Sequence, residues 1–260
     1  MVNMKKYLLG GVLLCAGAFI VSCSSDEELT PSGEGTISLD IRTETGFLSR
    51  AVNEADYMNV NNYTVQLLSG EEVQNEWKYT DLPESMQVNA GTYQVKAYYG
   101  EDVAASTETM YVEGVSEEVT LVDKDTKTIS VTCKPVCAKV SVKFADAMAD
   151  YFTDYSVTFK TVALGEGNFV WKKDSTDPVY LKVGQDEEVT ATINYTENGA
   201  QKSVEKKYVM SPGTGMTITV NPVQSTGSMG ISITVDESTN DIEQDIEVPG
   251  DWIDETPAAE

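Results

Sequence analysis

From Gly35 onward, apolar and polar positions alternate in short runs. Thr36-Ile37-Ser38-Leu39-Asp40-Ile41, Tyr63-Thr64-Val65-Gln66-Leu67, Tyr93-Gln94-Val95-Lys96-Ala97-Tyr98-Tyr99 and Thr128-Ile129-Ser130-Val131 each set apolar residues, mostly β-branched or aromatic, at every second position. A period of two means a strand with one buried face and one wet face. Turn chemistry separates the runs at Ser69-Gly70, Asn89-Ala90-Gly91, Tyr99-Gly100, Asn198-Gly199 and Ser211-Pro212-Gly213. Only Ala145 to Phe152 has a helical pattern, for one or two turns. Closely spaced strands with so little helix predict an all-β chain of antiparallel sandwiches.

The pattern also repeats in order. Ile37-Ser38-Leu39 corresponds to Val140-Ser141-Val142, and Tyr63–Leu67 to Tyr155–Phe159. Tyr93–Tyr99 corresponds to Val189–Tyr195, and Thr128–Val131 to Thr217–Val220. The offsets are 103, 92, 96 and 89 residues. Any two strands look alike, but four matches in one order predict two tandem sandwich domains, over 35–135 and 136–253, joined near Lys134-Pro135. The larger first offset puts extra residues between Thr43 and Asn61, a polar stretch that reads as a long exposed loop.

The beginning of the chain reads differently. Lys5 and Lys6 precede the uncharged apolar run Tyr7–Val21, which is short for a bilayer span of about 20 residues and has the size of a signal-peptide core. Its end, Ile20-Val21-Ser22-Cys23, resembles the lipobox of bacterial lipoproteins. That resemblance implies a signal peptide over 1–22, lipid on Cys23 and anchoring to the outer membrane, stable because two or more acyl chains hold where one does not. Residues 23–34 form a tether that spans roughly 40 Å when extended, at about 3.5 Å per residue. Its acid run, Asp26-Glu27-Glu28, is either a solvated linker or a tag for surface display. Residues 254–260 are a tail.

Charge and composition narrow the function. The net charge is −24, and removing two lysines and no acid with the signal makes it −26. Such a chain repels nucleic acid and anionic lipid surfaces. It has no histidine, so imidazole-dependent catalysis and histidine-ligated zinc are excluded. No pair of carboxylates stands out for glycoside cleavage, and none of the acidic clusters has the spacing of a calcium loop. The expectation is a non-enzymatic chain without cofactor or metal.

Taken together, the lipobox with its acid run, Ser49-Arg50-Ala51, and Leu82-Pro83 leading to Asn89-Ala90-Gly91-Thr92-Tyr93-Gln94-Val95 resemble the fimbrillin-like surface lipoproteins of Bacteroidetes-type bacteria. So does the closing stretch Ile246-Glu247-Val248-Pro249-Gly250-Asp251-Trp252. The resemblance implies two transthyretin-like sandwiches at the cell surface, with an adhesive role. It also implies a positive φ at Gly91. In fimbrillins an arginine-specific protease cuts after the first strand, and a neighbour's strand fills the opened groove. Arg50 and Ala51 stand where that cut falls, and residues 242–248 where a donated strand would come from. The other reading is an ordinary loop arginine and a last strand that pairs at home, so self-assembly stays open.

Two further groups carry candidate chemistry. Cys133 and Cys137 are the only cysteines left beside the signal's Cys15 and the lipid-bearing Cys23. In an extended strand they stand about 13 Å apart, beyond disulfide reach. A turn at Pro135 brings them into range, so they are either a disulfide at the domain joint or two buried thiols. Trp77, Tyr79 and Trp171 are either sandwich core or stacking platforms for sugar rings. The reading is a surface lipoprotein that contacts other surface proteins; the alternative is a glycan-binding accessory lipoprotein.

Overall fold

The computed structural model describes residues 32–44, 54–225, 228–236 and 244–246. Cys23, the tether's acid run, Arg50-Ala51, Trp252 and the tail lie outside them. The described residues fall in one compact unit, Pro31–Glu260.

The first half contains β1 (Glu34–Thr43), α1 (Glu54–Met58), β2 (Thr64–Ser69), β3 (Glu72–Lys78), β4 (Met86–Asn89), β5 (Gly91–Tyr99), β6 (Ala105–Ser106), β7 (Val112–Val115), β8 (Val119–Leu121) and β9 (Thr126–Pro135). The second contains β10 (Cys137–Phe144), α2 (Met148–Tyr151), β11 (Tyr155–Lys160), β12 (Phe169–Lys172), β13 (Val179–Lys182), β14 (Glu187–Glu197), β15 (Ala200–Met210), β16 (Gly215–Ser225), β17 (Ser228–Asp236) and β18 (Gln244–Ile246). The protein is all-β, as the alternation predicts.

Strand order repeats between the halves. In the first, β3-β2-β5-β7 lies against β4-β1-β9; in the second, β12-β11-β14-β15 lies against β13-β10-β16. The four sequence correspondences fall on β1 and β10, β2 and β11, β5 and β14, and β9 and β16, which hold the same place in each order. Two cores result. One gathers Ile37, Val65, Leu67, Val95, Ile129 and Val131; the other gathers Val140, Phe159, Trp171, Leu181, Ile193 and Ile218. Burial follows the alternation closely in β9, where Ile129, Val131 and Cys133 point inward and their neighbours outward.

The sheets are not purely antiparallel. β1 runs parallel to β9 over Thr36–Thr43, and β10 parallel to β16 over Lys139–Phe144. Parallel neighbours need a long crossover, and here nearly a whole half of the chain supplies it. Two additions break the repeat. β17 and β18 extend the second half's sheet beyond β16, and β6 from the first half pairs with β13 at its other edge.

The stretch before Asn61 departs from the loop that its polarity predicts. Residues 54–62 form α1 and a 3₁₀ turn, pinned by Tyr57, which is fully buried. The Tyr63 hydroxyl donates to the Tyr57 carbonyl at 2.7 Å. One aromatic among acids and amides is enough to dock the segment. α2 falls within the expected helical stretch and buries Met148, with Phe152 just beyond it edge-on to Tyr195 at 4.9 Å.

The turns divide by mechanism. Asn198 and Gly199 join β14 to β15 with φ of 50° and 84°, the all-positive geometry of a tight hairpin. Gly100 has φ of 80°, and a Cβ there would stand 2.3 Å from the Met110 carbonyl oxygen. Gly91 does not have the positive φ that the resemblance implies. It begins β5, and the Tyr93 ring packs over it with its hydroxyl donating to the Asn89 carbonyl at 2.9 Å.

These two glycines make a paired prediction. A Cβ at Gly199 meets nothing within 4 Å, so Gly199→Ala should cost only the left-handed backbone term, about 1–2 kcal/mol. Gly100→Ala adds a backbone collision and should cost clearly more. Urea melts of both variants check the order; equal losses would contradict the packing around Gly100.

Candidate functional site

The two sheets of the first half end at β3 and β4, and a cleft of about 230 Å³ lies between these edges. β3 is largely hydrophilic: of its seven residues only Trp77 is not exposed. Opposite β2 its register slips, with Leu67 facing Asn75 and Leu68 facing Val73, so Gln74 is the extra residue of a β-bulge. A bulge turns a strand and re-aims its side chains. Here it delivers Gln74 and Asn75 to the cleft, across from Gln87 and Asn89 of β4. All four amides are exposed, and none has a side-chain hydrogen bond among the described residues. Tyr93 and Glu34 complete the rim. Each amide offers donors and an acceptor together, which suits neutral groups that do both, such as paired hydroxyls.

The residues singled out in the sequence are dispersed. Trp77 and Tyr79 are half-buried against the first core. Trp171 is 1% exposed and sits in the second core, so its place as a sugar platform is corrected. In β12, Val170 takes the outward position and Trp171 the inward one. Cys133 and Cys137 are both free and buried, so of the two alternatives that the sequence leaves open the structure has the buried thiols and not the disulfide. The chain stays extended through Pro135 instead of turning there, since β9 ends and β10 begins on either side of Val136. The Cys133 Sγ–H points to the Ala97 carbonyl at 3.6 Å and that of Cys137 to the Tyr111 carbonyl at 3.8 Å. Burial pushes both thiols up to about 12, with Glu113 adding to the effect at Cys133.

At the other end of the chain, β18 pairs with β17 over three residues, Gln244 to Val235, Asp245 to Thr234 and Ile246 to Ile233. Among the described residues it is the outermost strand of its sheet. The first strand is held differently: β1 has β9 on one side and β4 on the other. Among the described residues no group of acidic, cysteine or histidine side chains is placed to hold a metal ion, and no helix is long and apolar enough to cross a membrane.

Residues 33–250 match the family described as a domain of unknown function, DUF4493. The chain belongs to that family. No curated protein matches this DUF4493 chain. Solved structures that resemble it include the fimbrial anchor protein Mfa2 from Porphyromonas gingivalis, at 11% identity and a TM-score of 0.47, covering 78% of this chain and 98% of that one. A fimbrial assembly protein from Parabacteroides distasonis resembles it at 12% identity and a TM-score of 0.41, covering 83% and 99%.

The sequence reading missed the amide cleft. Met86-Gln87-Val88-Asn89 alternates and puts two amides on one face, a signal that was present; the bulge at Gln74 was not, because register depends on the partner strand.

The buried thiols of the DUF4493 chain give a test. Folded, both should resist a thiol reagent at neutral pH, and denaturant should release them. Because their folded pKa is raised, the stability they contribute is full below pH 9.0 and is lost as pH climbs from there through about 12. Thiol counting with and without denaturant, and alkaline melts of Cys133→Ala against the parent, check both; fast native labelling would contradict the burial.

Proposed function

We propose that this protein is a lipid-anchored, surface-exposed bacterial protein with a non-enzymatic adhesion or interaction role, built as two tandem sandwich domains. The lipobox ending at Cys23 supports the anchor and outer-membrane location, and Asp26-Glu27-Glu28 supports display. The repeated strand order and the two separate cores support the tandem domains. A chain of charge −24 without histidine fits neither nucleic-acid binding nor imidazole catalysis.

The observation that carries the adhesive reading is the unequal hold on the two end strands. Among the described residues β18 pairs with its own chain over three residues at a sheet edge, while β1 fills the space between β9 and β4. A weakly held last strand can leave for another sheet. If protease cuts after Arg50, β1 is kept by pairing and burial alone. The protein is then either a fimbria-like subunit that exchanges strands or a lone tethered module.

Three measurements test this. Cys23→Ser should abolish palmitate labelling and release the protein from membranes; a labelled, membrane-bound variant would remove the anchor. Low-dose trypsin should cut at Arg50 first, and light scattering before and after the cut separates the two adhesive versions. Oligomers that persist on mild heating in detergent support strand exchange, and a monomer that keeps β1 supports the lone module.

The amide cleft favours a second reading, a glycan-binding accessory protein. Its four free carboxamides and Tyr93 suit a neutral sugar. A glycan array probed with the protein should give hits that Gln87→Ala and Asn75→Ala weaken together. Hits unaffected by both variants would place sugar binding elsewhere.

A further inference from the structure

The segment between β5 and β7 crosses from the first half to β13 of the second, and a cavity of about 130 Å³ lies beside it. Three stretches distant in sequence line it: Asp56 and Tyr57 of α1, Tyr99 at the end of β5 with Glu108 and Met110 beyond it, and Tyr180 of β13. Each aromatic is fixed from outside the cavity. Tyr57 is fully buried and its carbonyl takes the Tyr63 hydroxyl. The Tyr99 ring lies 5.9 Å from that of Tyr63. Tyr180 pairs with Ser106 and packs on the first core.

The carboxylates are the second element. Asp56 and Glu108 are exposed at the rim, and neither has an ion-pair partner among the described residues. The lysine on the neighbouring strand, Lys182, is already paired with Asp102. Burial raises the hydroxyl pKa of Tyr180, with Cys137, Tyr99 and Tyr57 adding to it, and burial raises that of Tyr99, with Asp56 adding to it. The rings therefore stay neutral and keep their electron-rich faces.

We propose that this cavity binds a compact organic ammonium group, held by the half-buried rings of Tyr99 and Tyr180, with Tyr57 as the buried floor behind them, and by the carboxylates of Asp56 and Glu108. Aromatic faces and carboxylates attract the same charge, and a substituted ammonium sheds its water at little cost. The cavity's size fits: it holds about four waters at their ~30 Å³ share of liquid, enough for an ammonium head. The strongly negative chain raises the local concentration of cations, more so at low salt. The shared chemistry is the ammonium, whether on a free small molecule or at the end of a lysine side chain.

The test is a calorimetric titration of the purified full chain with choline, with its neutral carbon isostere, and with N-acetyl-lysine methylamide. Choline should bind saturably and at least ten-fold tighter than the isostere, and the lysine amide shows which source the cavity prefers. Tyr99→Leu should weaken choline by about two- to thirty-fold, and raising the salt should weaken it further. Glu108→Gln, at an exposed position, should weaken it too, and decides the matter if Tyr99→Leu does not fold. Equal binding of choline and isostere, no saturable binding of either cation, or folded variants that bind choline like the parent would overturn the proposal. None of these outcomes depends on the adhesive reading.

Discussion

The fold depends on one extended run of chain, Thr126–Phe144, which closes the first half and opens the second. Its leading part, β9, lies parallel to β1 and turns its last two residues to β7, tying both sheets of the first half together. Its trailing part, β10, lies parallel to β16 and antiparallel to β13, at the centre of the second half. Between them Pro135 has no N–H to give, yet nothing is left stranded. The Val136 N–H donates to the Tyr111 carbonyl at 3.1 Å, and Pro135 occupies a strand end, where proline is tolerated. Because this run is straight, Cys137 reaches back into the first core although it starts the second half's central strand. The halves thus share a strand line and a side chain as well as a linker.

That continuity sets where the sheet edges fall. β15 ends one sheet and carries Lys202, Glu205, Lys206 and Lys207, the charge pattern that discourages pairing with another chain. β13 is an edge only until β6 covers it. β4 is different: Met86-Gln87-Val88-Asn89 has no charge and is four residues long. Shortness and the bulged β3 beside it protect that edge while leaving its amides open to solvent. β18 is shorter still. The charged and covered edges therefore serve stability, and the two uncharged or weakly held ones, β4 and β18, are where contact with other molecules costs the fold least.

How much of this was legible in the sequence follows from which information is local. Period-two runs such as Thr36–Ile41 and Tyr93–Tyr99 report burial residue by residue, so strands and their repeat could be read directly. The hairpin glycine at 199 was legible for the same reason. Whether β1 runs parallel or antiparallel to β9 depends on strands about 90 residues apart, and alternation is the same for both. The bulge at Gln74, the docking of Tyr57 and the straight passage through Pro135 are set by neighbours across space. Trp171 shows the limit from the other side: composition marks an aromatic, and only its strand's phase decides that it is core. The tyrosines of the cavity beside β6 come from residues 57, 99 and 180, a grouping that no spacing rule suggests.

The position of β1 constrains any strand that replaces it. β1 is paired over eight residues with β9 and four with β4, so its loss would leave both neighbours with unpaired backbone groups facing a gap. Those groups cost about 1–3 kcal/mol each when buried without partners, so an open groove is a poor resting state and favours prompt refilling. A replacement must also match the inward positions. Ile37 and Ile41 are buried, whereas Leu39 between them is only half-buried. In the sequence, Ile242, Gln244 and Ile246 keep the same spacing, with the polar residue at the place that is not sealed. The phase that lets β1 sit in its own sheet is therefore one that the sequence around Gln244–Ile246 also carries, and Val248 continues the alternation. A one-residue slip would turn Glu243, Asp245 and Glu247 inward, so the acids between the apolar positions fix the register in which such an exchange is allowed.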